Sequence, residues 1–161
     1  MNLPRAIALT AACAALLSAC GGDDENDKAG DTATAEVVAL TQAEYAEQGN
    51  ALCAAYEKKS AAIEADIDPA NLAPSYDQLG EEFSALLDDL EALEPPADLA
   101  DQHDALMANG RTAVEQLGTL SEATTAEDTE TIEATNAELE AGSKAGDTIA
   151  NELGLTDCVG D

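Results

Sequence analysis

Among 161 residues there is no tryptophan, one phenylalanine, three tyrosines and a single histidine. The aromatic shortage excludes a core built on large rings. Alanine must fill much of the interior instead, so helices made from this chain have to approach closely to bury enough apolar area. His103 has no second histidine beside it and no Glu-x-x-His pair, which excludes the usual zinc, haem and di-iron ligand sets, and no cofactor motif is present. Positive charge is equally scarce: six Lys and Arg stand against 34 Asp and Glu, for a formal net charge of −28. A surface of that sign repels a phosphate backbone, so nucleic acid is excluded as a partner.

What is present begins with a basic start carrying Arg5 and an apolar run from Ala6 to Ala19, broken by little more than Thr10 and Ser18. The run suits a signal-peptide core and is too short for a bilayer, which takes roughly 20 apolar residues. It ends in Leu17-Ser18-Ala19-Cys20, with Leu at −3, small residues at −2 and −1, and Cys at the cut. This pattern resembles the bacterial lipobox, and the resemblance implies diacylglyceryl attachment to the Cys20 thiol, removal of residues 1–19 and acylation of the new amino terminus. A thiolate is the nucleophile that forms a stable thioether. Two or more acyl chains, at about 0.8 kcal/mol per buried methylene, hold a protein durably on a membrane. The other reading is an ordinary exported protein in which Cys20 falls there by coincidence.

Residues 21–40 are rich in Gly, Asp and Ala without apolar periodicity, and read as a disordered acidic tether. As a coil it would reach on the order of 25 Å, beyond the roughly 8 Å Debye length at physiological salt. An acidic domain thereby clears the repulsive field of an anionic lipid surface. Arg5 leaves with the signal while every Asp and Glu follows Cys20, so the mature chain is more negative still. Asp23-Asp24-Glu25-Asn26-Asp27 has the density of a calcium loop but puts Lys28 where an EF-hand needs glycine and Thr34 where it needs glutamate, so it reads as solvated chain.

From Thr41 onward, apolar residues at spacings of three and four recur in four stretches separated by proline, glycine or threonine breaks. The expected fold is all-α, an up-down-up-down four-helix bundle spanning 41–161, with a three-helix bundle carrying one loosely packed extra helix as the alternative. The first helix opens on a Thr41-Gln42-Ala43-Glu44 capping box and stops near Asp66. A second box, Ser75-Tyr76-Asp77-Gln78, is expected to start the second helix, which carries the stripe Tyr76, Leu79, Phe83, Leu86, Leu87, Leu90 and Leu93 and ends at Pro95-Pro96. The third is expected over about 97–123, where Gly110 and Gly118 each weaken it by roughly 1 kcal/mol relative to alanine. The fourth runs over about 125–153, closed by a left-handed glycine cap at Leu153-Gly154-Leu155. Gly142 and Gly146 on that helix imply close approach of a neighbouring helix.

Of four cysteines, Cys13 is lost with the signal and Cys20 is consumed by lipid, leaving Cys53 and Cys158 in an oxidising compartment. They are expected to pair as a structural disulfide, the tail after Gly154 folding back onto the first helix; their spacing is unlike a Cys-x-x-Cys redox motif. No catalytic constellation and no metal site emerge. Tyr45, Tyr56 and Tyr76 are candidates to line one end of the core as a small-ligand pocket, and Asp88, Asp89, Glu91 and Glu94 form an acidic face that attracts cations or reads as solvated surface.

The lipobox, the low-complexity tether, the segment Gln48-Gly49-Asn50-Ala51-Leu52-Cys53, the Leu93-Glu94-Pro95-Pro96 break and the ending Leu153-Gly154-Leu155-Thr156-Asp157-Cys158 together resemble small helical lipoproteins of high-GC, actinobacterial-type genomes. That family carries no assigned activity, so the resemblance supports the anchor and the bridge alone. The expected protein is a non-enzymatic lipoprotein without cofactor, exported and held on the extracytoplasmic face of the membrane or in the periplasm through Cys20, its bundle an interaction or envelope-associated module. The alternative is a small-solute or cation-binding lipoprotein.

Overall fold

A computed structural model describes residues 39–160. The expected signal segment, the expected lipobox with Cys20 and the expected tether up to residue 38 lie outside the described residues. The domain is a four-helix bundle: α1 Gln42–Ala65, α2 Ala73–Glu91, α3 Ala100–Thr125 and α4 Thr129–Leu153, followed by a short 3-10 turn at Thr156–Cys158. Among the described residues there is no strand, and no helix is long and apolar enough to cross a membrane.

Each boundary has a local cause. The Thr41 box forms as expected: the Glu44 amide donates to Thr41 Oγ1 at 3.3 Å and the Thr41 amide donates to Glu44 Oε2 at 3.0 Å. This holds the Glu44 carboxyl below its ordinary pKa, chiefly through the hydrogen bonds from Thr41. The second box does not form. Helix α2 starts earlier, at Ala73 after Leu72, with Pro74 in its first turn and no side-chain cap. The proline ring is preorganised for that turn and its missing amide costs nothing there, which draws Ser75 inside the helix. Helix α3 runs on to Thr125, and Asp128 caps α4 by accepting from the Thr131 amide at 3.2 Å. Gly154, at φ +80°, ends α4 in the expected left-handed cap, with Leu155 N–H donating to Ala150 O at 2.8 Å and Gly154 N–H to Asn151 O at 3.1 Å. Leu40 packs partly buried against the core, and its amide donates to Glu94 O at 3.0 Å.

Contacts between neighbouring helices give the direction of each. Gly49 lies against Leu90, Tyr56 against Phe83, and Lys59 pairs with Glu82, so α1 and α2 are antiparallel. Gly110 meets Leu87 and Gly80 faces Leu117, which sets α3 antiparallel to α2. Gln116 reaches Glu138 and Asn109 reaches Gly142, which sets α4 antiparallel to α3. The result is the up-down-up-down order.

The glycines permit the close approaches that a ring-poor core requires. A Cβ on Gly110 would fall 2.5 Å from Leu87 Cδ2, and Leu87 is only 2 % exposed. On α4, a Cβ at Gly146 would fall 2.8 Å from Asn109 Oδ1, whose Nδ2 donates to Gly142 O at 3.2 Å. The inferred neighbour of Gly142 and Gly146 is therefore α3, with a polar side chain inserted between the helices.

Candidate functional site

Two regions of the domain carry chemistry. The first is the closed end, where α1 begins and the chain finishes. Tyr45, Leu153 and Leu155 are fully buried there with Ala150. Tyr45 OH and His103 Nδ1 share a 2.8 Å hydrogen bond diagonally across the bundle, with the rings edge to face at 5.8 Å. Burial pushes the Tyr45 phenol up to about 12 and pulls the His103 imidazole below its ordinary value, against the opposing charges of Asp104 and Glu91. Both groups are thus kept neutral at neutral pH. His103 is a satisfied core residue.

The tail crosses this end and is held by several independent contacts. Leu155 seats over Gly49, where no side chain would fit beneath it. Asn50 grips the tail with both ends of its amide, donating to Gly154 O at 3.0 Å and accepting from Asp157 N–H at 2.9 Å. Gly160 N–H donates to Asp147 Oδ1 at 3.3 Å, which ties the tail to α4 as well. Cys53 and Cys158 stand at disulfide distance, with Cα atoms 5.0 Å apart, 105 positions apart in sequence. Asn50 was not anticipated as a structural residue; its place one turn before Cys53, in the segment that faces the chain end, is the signal that marks it.

The second region is a groove. Helix α1 packs on α2 and on the terminal turn, α2 on α3 and α3 on α4, but α1 and α4 scarcely approach each other along their lengths. Between them lies an open cleft of about 850 Å³. Phe83, Leu86 and Leu87 from α2 and Leu106 and Leu117 from α3 form its floor; Tyr56 and Ser60 of α1 and Leu139 and Ser143 of α4 form its walls; Thr156–Gly160 closes one end. Beyond Cys53, α1 has no buried residue, and α4 has none between Thr135 and Ala150. The second half of α1 is held mainly by α2, through the Tyr56–Phe83 ring pair at 5.4 Å and the exposed Lys59–Glu82 ion pair at 2.7 Å.

The tyrosines do not gather at one end of the core. Tyr45 belongs to the closed end, Tyr56 lines the groove, and Tyr76 begins α2 at the opposite end of the bundle. The correction follows from antiparallel packing: Tyr76 stands in the first turn of α2, at the other end of the bundle from Tyr45. Asp88, Asp89, Glu91 and Glu94 are exposed, and Arg111 of α3 reaches across to pair with Asp88 and Glu91. That face is a solvated helix surface partly neutralised from its neighbour. Among the described residues no group of three or more His, Cys, Asp or Glu is arranged to hold a metal ion.

Comparison with known proteins gives no further footing: no family model, no curated protein and no solved structure matches this chain.

Proposed function

We propose that this protein is an exported, lipid-anchored binding protein, non-enzymatic, whose working surface is the groove between α1 and α4. The anchor rests on the Leu17-Ser18-Ala19-Cys20 lipobox and on the acidic, low-complexity segment that follows it. The kinship with small helical lipoproteins of actinobacterial type rests on the same motifs. The binding role rests on one observation: a bundle otherwise packed on three successive helix pairs leaves its fourth interface open over an apolar floor, in a cleft of about 850 Å³. That volume falls in the range of roughly 300 to 1,000 Å³ that takes small organic ligands. A hydrolytic reading draws no support from the same geometry, because His103 does not line the groove and its Nδ1 is engaged by Tyr45 at the closed end.

Two measurements test the two halves. Intact mass of membrane and soluble fractions, before and after reduction and alkylation, reads the anchor and the bridge: a membrane-bound species starting at Cys20 with acyl mass, whose Cys53 and Cys158 alkylate only after reduction, is expected. A soluble, unlipidated species overturns the anchor. For the groove, a neutral solvatochromic dye should bind saturably to the domain and lose that binding when Ser143→Trp fills the cleft. Equal binding to the filled variant would remove the groove from the function.

A further inference from the structure

The walls of the groove carry charge of one sign only. Glu57 and Glu64 of α1, Asp147 of α4 and Asp157 of the tail line it, and among the described residues no Lys or Arg does. Of the cations at neighbouring positions, Lys59 pairs with Glu82, Lys144 with Glu140, and Arg111 with Asp88 and Glu91, while Lys58 is exposed on α1 and does not line the groove. Within the cleft, the Tyr56 ring stands tilted against Phe83 at 5.4 Å, offering aromatic surface beside those carboxylates. Burial, with the charges of Glu64 and Glu82, holds the Tyr56 phenol above its ordinary pKa, and the face of a phenol ring attracts cations.

From this juxtaposition we infer that the groove takes an organic cation with an apolar body, an alkyl- or arylammonium whose hydrocarbon lies on the leucine floor and whose head stands between Tyr56 and the α1 carboxylates. The inference rests on the groove being the binding surface, as proposed above. A neutral amphiphile gains only the floor. An anionic one meets like charge on both walls and at the closed end, and the net charge of −28 repels it before contact. From Cys53 to Glu64 the α1 wall runs about 16 Å at 1.5 Å per residue, enough for an extended chain of roughly eight carbons with its head.

The test displaces the neutral dye with octyltrimethylammonium, octyl glucoside or octyl sulfate, each below its micelle concentration. The ammonium is expected to displace at a concentration about tenfold lower than the glucoside, with the sulfate weakest. The preference should shrink in the Glu57→Gln, Glu64→Gln variant and persist in Glu130→Gln, Glu133→Gln, which removes the same charge from exposed positions outside the groove. Equal displacement by all three compounds overturns the cation inference and leaves the groove standing. An equal loss of preference in both double variants also overturns it, since the effect would then belong to net charge. Absence of any saturable dye binding overturns the groove itself, and this inference with it.

Discussion

At the end of the bundle where the chain finishes, Tyr45, Leu153 and Leu155 are sealed from solvent, a diagonal hydrogen bond spans the core, and the tail is fastened to α1 and α4. Along the second half of α1 the same fold is open: no residue after Cys53 is buried, and Tyr56, Leu117 and Leu139 stand half-exposed around a cleft. The two regions share helices, so helix propensity does not separate them. What separates them is what lies between α1 and α4: Leu155 and the Cys53–Cys158 pair at one end, and none of the described residues at the other. The closed end supplies rigidity, and the open length is free to present apolar surface without unfolding the whole. Function in small bundles is commonly placed on the less stable part of the scaffold for this reason.

The largest expected effect breaks the closed end. Cys53→Ala, or reduction, releases a loop of 105 positions, and the chain-entropy relation gives a loss of about 4 to 5 kcal/mol, to be read by urea denaturation with and without reductant. A loss below about 1 kcal/mol would show that Asn50 and Leu155 hold the tail without the bond. Next, Leu155→Ala should cost about 2 to 4 kcal/mol because its site is fully buried, whereas Leu139→Ala in the groove wall should cost under about 1 kcal/mol. Equal costs at the two leucines would erase the contrast between the regions.

The glycines of α3 sharpen it further by sign. Gly110→Ala forces the buried Leu87 side chain aside and should destabilise by about 1 to 3 kcal/mol, while Gly118, with nothing within 4 Å of a new Cβ, should gain about 0.5 to 1 kcal/mol on the same change. The smallest effect is in pH. The folded imidazole of His103 lies below its ordinary 6.5, so the unfolded chain binds more protons between those two values. Its contribution is therefore complete above 6.5 and is lost as pH falls through the folded value. Stability profiles from about pH 5 to 7 should be flatter for His103→Gln than for the parent, the difference cancelling the common carboxylate background.

Much of this architecture is legible along the chain. The leucine stripe of α2, the Thr41-Glu44 box and the Leu153-Gly154-Leu155 ending are local patterns, and each appears as the spacing implies. The start of α2 was less legible, because Pro74 favours the first helical turn as strongly as Ser75 favours a cap, and propensity alone does not rank them. Gly110 reads as a weak point in isolation and turns out to be the seat of Leu87. The grouping of the tyrosines failed for a related reason: positions on different helices meet only through the register of packing, which periodicity does not contain.

By itself, then, the sequence determined the helical class and the number and direction of the helices, since these follow from periodicity and short connections. Only tertiary structure decided that α1 and α4 stay apart beyond Cys53, and that Tyr56 and four carboxylates share one cleft while Tyr45 and His103 share another environment. The physical reason is that a short, ring-poor set of side chains can satisfy three helix interfaces along their lengths and the fourth only where Leu155 fills it. Where that filling stops is set by the packing of distant segments, and no local pattern encodes it.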